Sequence, residues 1–259
     1  MGNLAKEVGG TSTLFFFDGR LWTCNDHGRL RLYALDTLTG KVETTVDLKV
    51  NVYDLEEVAQ DEDYLYFGDF GDNRGVRNDL RILRLAKDDF RQQRYRFDTI
   101  SFSYPDRDGG TLARNFDCEA FAAVNDSLYL FTKQWISQGT TCYVLSKLPG
   151  RQVARRGCSF DTRGLVTGAC YHPSSRRMVL LGYSLLLQPF VYIVEDFVGQ
   201  SDSGGRRVTL DSPLGTQAEG IASSDGIIFF FTNETFEMSI ISRKASLQKV
   251  DLGGFTRER

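Results

Sequence analysis

The sequence predicts an all-β protein: one five-bladed β-propeller with four antiparallel strands per blade around a central channel. Three observations predict it. Short alternating apolar runs bounded by Gly, Asp, Asn and Ser recur along all 259 residues, while helical periodicity is scarce. A short segment before these runs recurs five times at blade-like spacing. Aromatic residues are in excess, with 19 Phe, 11 Tyr and 2 Trp, as expected where blades stack face to face on large flat side chains.

The repeat aligns Asp54-Leu55-Glu56-Glu57-Val58-Ala59 with Asp117-Cys118-Glu119-Ala120-Phe121-Ala122, Leu165-Val166-Thr167-Gly168-Ala169-Cys170 and Gln217-Ala218-Glu219-Gly220-Ile221-Ala222. Gly10-Thr11-Ser12-Thr13-Leu14-Phe15 takes the same place near the start. Repeat positions 12, 56, 119, 167 and 219 lie 44, 63, 48 and 52 residues apart, room for four short strands each. The predicted blades are roughly 11–50, 54–104, 117–161, 165–211 and 217–252, one domain over 1–259.

In the first blade Asp18-Gly19 supplies a two-residue hairpin turn, and Leu38-Thr39-Gly40 turns the outer strands. The second blade carries the longest insertion, around 94–114. In the third, Asn125-Asp126 and Pro149-Gly150 form the corresponding inner and outer turns; in the fifth, Asp225-Gly226 repeats the inner one. Residues 3–9 are expected to add an outer strand that closes the ring.

Charge and composition exclude several functions. With 31 basic and 34 acidic side chains the net charge is −3, and no Lys/Arg stripe suggests nucleic acid. No apolar run is long enough for a transmembrane segment. Five cysteines form no CxxC pair and there are two histidines, which argues against zinc. Cys142 and Cys158 flank the Pro149-Gly150 turn, leaving two readings open: a cross-strand disulfide or two buried thiols. A monomer is expected.

The first strand of each propeller blade lines the channel, so the repeat position forms a ring: Ser12, Glu56, Glu119, Thr167 and Glu219. Every member carries a side-chain oxygen. Three converging carboxylates repel one another unless a cation sits among them, and Ca²⁺, with its six to eight oxygen ligands, suits such a ring better than Mg²⁺. The alternatives are a water-filled polar channel, or Glu57 rather than Glu56 pointing inward.

The ring resembles the Ser, Glu, Glu, Ser, Glu ring of the calcium-activated nucleotidases of the apyrase family. Leu21-Trp22-Thr23-Cys24-Asn25-Asp26-His27-Gly28 and Leu30-Arg31-Leu32-Tyr33 are similar to that family's Leu-Tyr-x-x-Asp-Asp-Arg-Thr-Gly-x-x-Tyr segment, with Asn25 for its first Asp, His27 for its Arg and Thr167 for its second ring Ser. The Trp-Thr-x-Asn-Asp, Gly-Asp-x-Gly-Asp-Asn, Cys-Glu-Ala, Thr-Gly-Ala and Glu-Gly-Ile pattern looks closer to a group of uncharacterised, usually exported bacterial propellers. These resemblances imply the fold, the calcium ion and a secreted or periplasmic location, with a cytoplasmic one left open; the second group supplies no activity.

Loops after each second strand share a face with the loops entering the channel strands. They offer a polar ligand site of Asn25, Asp26, His27, Asp69, Asp72, Asn73, Lys133, Trp135, Tyr183, Asn233 and Glu234, although turns favour Asp and Asn for their own sake. Asp69-Phe70-Gly71-Asp72-Asn73 lacks EF-hand spacing. No nucleophile elbow, P-loop or dinucleotide fingerprint is present, and His172 falls on the opposite face. Two functions follow. The first is a calcium-bearing extracytoplasmic module that binds a small ligand or protein. The alternative is a calcium-dependent phosphohydrolase of nucleoside diphosphates or related esters, with Asp26 activating water and Lys133 as the candidate phosphate-gripping residue.

Overall fold

In a computed structural model of the chain, which describes residues 2–107, 110, 112–198, 204–238 and 241–255, the alternating runs become five antiparallel sheets, one per repeat. Blade 1 is Phe15–Phe17, Arg20–Thr23, Gly28–Leu35 and Val42–Val52. Blade 2 is Leu55–Gln60, Tyr64–Asp69, Arg81–Ala86 and Phe97–Ser103; blade 3 is Asp117–Val124, Ser127–Lys133, Thr140–Ser146 and Arg155–Phe160. Blade 4 is Leu165–His172, Arg177–Tyr183, Pro189–Val194 and Arg206–Thr209. Blade 5 takes Ala218–Ala222, Ile228–Asn233 and Ser246–Asp251 from the end of the chain and Gly2–Asn3 from its start.

The alternation within each strand explains the core. In blade 3, Leu128 and Leu130 pack into the interface with blade 2, whereas Tyr129 and Phe131 pack into the interface with blade 4. Five apolar clusters result, one in each gap between adjacent blades. Aromatic rings fill them edge to face, as with Phe70 and Phe121 at 5.2 Å and Tyr104 and Tyr143 at 4.7 Å between centroids. The aromatic excess is therefore blade packing. Turn chemistry is as expected: Asp18 and Gly19 both hold positive φ, and Asp36 Oδ1 accepts the Leu38 and Thr39 backbone N–H groups ahead of Gly40.

Three details differ from expectation, and the cysteines settle a reading left open. Ring closure uses Gly2–Asn3 alone as strand, paired antiparallel with Ser246–Leu247; Lys6–Val8 is a 3₁₀ turn that buries Val8 against blade 1. The stretch 94–114 contains the outer strand of blade 2, and an α-helical turn, Lys87–Arg91, precedes it; residues 108–109 and 111 lie outside the described residues. Pro149-Gly150 does not turn a hairpin. Instead Gly150–Val153 crosses to blade 2 and pairs parallel with Phe97–Ser103, steadied by Gln152, whose amide bonds Ser146 and Leu148. The five cysteines form no disulfide, and the Cys142 and Cys158 thiols lie against each other in the blade 3–4 core.

Candidate functional site

All five inner strands share one irregularity. In blade 2 the pairing runs Leu55 with Asp69, then Glu57 with Gly68, so Glu56 is the extra residue of a β-bulge. Blade 3 passes from Cys118–Thr132 to Ala120–Phe131 around Glu119, and blade 4 from Val166–Gly182 to Gly168–Leu181 around Thr167. Blade 5 steps from Ala218–Asn233 to Ile221–Phe231 across Glu219, and blade 1 from Thr11–Asn25 to Phe15–Trp22 across Ser12. The register shifts by one residue each time. A bulge re-aims a side chain that the pleat would otherwise turn into a blade interface. The repeat position is thus a bulge position.

The three bulge glutamates open into one cavity of about 250 Å³, lined by Asp26, Asp54, Glu56, Asn73, Glu119, Lys133, Trp135, Tyr183, Gln217, Glu219 and Glu234. Its upper wall is a second layer. Asp54 and Gln217 stand two residues before the bulge in their blades, and Asp26, Lys133, Tyr183 and Glu234 stand at or just past the ends of second strands. Asp117, the counterpart of Asp54 in blade 3, is buried behind the wall, where its carboxylate accepts Trp135 Nε1–H at 3.0 Å and the Asp72 N–H at 2.7 Å. Sequence reasoning passed over Asp54, Asp117 and Gln217 although they open three of the aligned segments.

Among the described residues, the cavity wall holds six carboxylates and one ammonium. Lys133 Nζ donates to both Glu119 oxygens at 2.7 Å and lies 4.7 Å from the Trp135 ring centroid and 5.4 Å from that of Tyr183. Burial opposes its charge, but Glu119, the nearest opposite charge, raises its pKa. Burial and then the Glu119 charge push Glu56 well above the usual carboxyl range, and burial and then Glu234 do the same to Glu219. Asp54 rises to about 6 through burial and Asp117, and Glu234 to about 7 through burial and Asp26. Asp54 and Glu56 share a hydrogen bond, as do Asp117 and Glu119. The cluster is short of positive charge.

The two inward readings of the Glu56-Glu57 pair are both realised, because the bulge puts neighbours on one side. Glu57 lies deeper and spans the axis: Thr13 Oγ1–H of blade 1 and Val58 N–H donate to its Oε1 at 2.5 and 2.9 Å, and Ala169 N–H of blade 4 to Oε2 at 3.1 Å. Burial raises its pKa to about 8. Past it, the other end of the channel is a smaller pocket of about 90 Å³ with Leu14, Phe16, Phe121, Tyr171 and Ile221 in its wall.

The remaining ring and face residues divide. Among the described residues Ser12 Oγ is buried without a hydrogen-bond partner, and Thr167 Oγ1 donates to the Ala218 carbonyl at 2.6 Å; neither lines the cavity. Asp69 is buried under Arg77 and Arg81 and accepts the Tyr53 and Asp54 N–H groups. Asp72 binds Arg107 at 2.5 Å and the N–H groups of Val76 and Arg77. Both hold loops together rather than face the cavity. Asn25 and Asn233 likewise tie second-strand ends to the Glu7, Glu234 and Lys244 carbonyls, while His27 is exposed and bonded to Asp26 Oδ1 at 2.5 Å.

A cation fits part of this description. Every donor is oxygen, and Gly71 leaves room behind the acids: a Cβ there would stand 2.0 Å from Glu56 Oε1 and 2.6 Å from Asp54 Oδ2. Among the described residues, however, no group of three or more His, Cys, Asp or Glu side chains is already arranged to hold a metal ion. No helix among them is long and apolar enough to cross a membrane.

No protein-family model matches the chain, and no curated protein does. Two solved structures are similar in fold. The PQQ-bound aldose sugar dehydrogenase of Streptomyces coelicolor has TM-score 0.51 and 10% identity, over 96% of this chain and 97% of that one. The gluconolactonase XC5397 of Xanthomonas campestris has TM-score 0.55 and 11% identity, over 97% of this chain and 76% of that one. Such distant likeness speaks for the fold and leaves the nucleotidase resemblance without support. The chain is a five-bladed β-propeller with an acidic cavity at one mouth of its channel.

Proposed function

We propose that this propeller is a binding module whose mouth cavity takes a hard cation, calcium in the first instance, and through it a polar small ligand. One observation carries the reading: among the described residues six carboxylates, with Lys133 as the one cation, surround a cavity of about 250 Å³. Such a cluster must hold protons or bind positive charge. Glu56 and Glu219 would hold the ion, with Asp54 and the Asn73 amide oxygen beside them, since Glu119 is already committed to Lys133. Calcium accepts irregular oxygen sets completed by water, which suits donors not yet ordered around a centre. An extracytoplasmic location belongs to this reading, because weak calcium sites fill at extracellular calcium levels. In the test, protein dialysed against EDTA is titrated with CaCl₂ in a calorimeter. One ion per chain with a millimolar or tighter Kd supports the reading; no heat of binding refutes it.

A second reading, phosphate-ester hydrolysis, rests on the Asp26–His27 pair, an acid–base couple at the cavity wall. Here Asp26 would take the proton of the attacking water and the bound ion would supply charge to the phosphoryl oxygen. Lys133, held by both Glu119 oxygens, is not available to grip phosphate in this arrangement. Calcium-dependent release of phosphate from nucleoside diphosphates, abolished by Asp26→Asn, would establish it over the first reading.

A further inference from the structure

We propose that the part of the mouth cavity formed by blades 5 and 1 recognises an organic ammonium group, carried by a small amine. The inference rests on reading the mouth cavity as one that binds positive charge, and names an organic cation that would take the metal ion's place at Glu219.

The cavity contains its own demonstration. The Lys133 ammonium is 6% exposed, held at 2.7 Å by both oxygens of Glu119, and flanked by the Trp135 and Tyr183 rings. Carboxylate oxygens with aromatic faces are the environment that desolvated ammonium groups prefer. Glu219 feels the Lys133 charge but is not bonded to it. Glu219 is 6% exposed, lines the cavity, and among the described residues its carboxylate has no hydrogen-bond or ion-pair partner. Its oxygens open to the cavity, so an occupant that donates to them takes the place of water as their partner.

Two further acids complete the subsite. Glu234 lies close enough to raise the energy of a charge on Glu219, and Asp26 does the same to Glu234. Tyr183 is within electrostatic reach of Lys133, Glu119 and Glu219, so its ring serves both halves of the cavity. An ammonium group needs two or three acceptors in loose tetrahedral arrangement and does not require the closed ligand shell of a metal. That matches acids which, among the described residues, are gathered but not centred on one point. The space of about 250 Å³ holds several waters, which an aliphatic amine would displace.

The test uses the full chain in EDTA, with cadaverine as the probe and 1,5-pentanediol as its uncharged counterpart. Trp135, which borders the site, reports binding by fluorescence, and calorimetry gives the affinity. Cadaverine is expected to bind with a Kd of about 1 mM or tighter, pentanediol not at all, and Glu219→Gln is expected to weaken cadaverine by about tenfold or more. Glu219→Gln removes a repelling charge and retains shape, so it folds; melting confirms this. Asp211→Asn, away from the cavity wall, leaves cadaverine binding unchanged. Equal binding of diol and diamine, or indifference to Glu219→Gln, overturns the inference. Calcium binding without amine binding overturns it while leaving the cation-site reading intact, and failure of both probes overturns both.

Discussion

Lys133 and Glu119 show how much of this site is decided between single side chains. Their side chains are 6% and 3% exposed, and each is the other's charge partner. Lys133→Met would leave Glu119 buried without a counter-charge, at a cost of about 3–5 kcal/mol in urea denaturation. Glu119→Gln in the same chain should restore most of that loss, because a buried pair replaced as a unit is far less harmful than one broken. Strictly additive losses would show that the two do not act as a pair. Glu56, Glu119 and Glu219 were legible in the sequence because they recur at one repeat position. Lys133 was legible as a site residue but not as an internal counter-ion, since its partner is set by the fold. Asp69 and Asp72 were misplaced for the same reason: their consumption by Arg77, Arg81 and Arg107 depends on how the loop folds back.

The inner strand is the element that makes the site. Strict alternation would send the repeat position into a blade interface, and a one-residue bulge turns Glu56, Glu119 and Glu219 to the channel mouth instead. The pattern of period two made strands and turns readable, but a bulge leaves no mark in that pattern, so both readings of Glu56 and Glu57 stayed open until the pairing was seen. The crossing strand Gly150–Val153 was hidden similarly, because Pro-Gly is an ordinary turn signal and says nothing of the neighbouring blade's edge. Behind the blade 2 bulge, the loop must approach closely at Gly71. Gly71→Ala drives a methyl group against Glu56 and Asp54 and should cost about 1–3 kcal/mol in denaturant melts. It should also abolish the calcium response. An unaltered calcium titration would show that these acids do not hold the ion.

Across the whole molecule, five apolar interfaces hold the ring and must outweigh an acidic axis that opposes it. Glu57 at about 8, Glu234 at about 7 and Asp54 at about 6 all titrate above free carboxyl values, each through burial first. The folded chain therefore binds more protons than the unfolded chain in this range. Its metal-free stability is greatest at the acid end and falls as pH rises through about 6, 7 and 8. Carboxyls held low, such as Asp79 beside Arg77, stay charged throughout and do not reverse the trend. Melting curves in EDTA across that window should show Tm declining with pH, and a flat or rising profile would contradict the assigned charge states. Blade number was readable at this scale because repeats are a property of the whole chain; the manner of ring closure, Gly2–Asn3 beside Ser246–Leu247, was not. The charge balance of the axis was not, because a net charge of −3 hides where the acids gather.

The central claim, that the cavity's carboxylates repel one another until a cation joins them, makes one substitution act in opposite directions. Glu56→Gln removes an acid whose ionisation burial and Glu119 oppose, and a ligand, together. Measured at pH 8, its Tm in EDTA should lie above that of the wild type, while its gain on adding calcium should be much smaller. A variant that melts lower than wild type in EDTA yet keeps the full calcium gain would contradict the account.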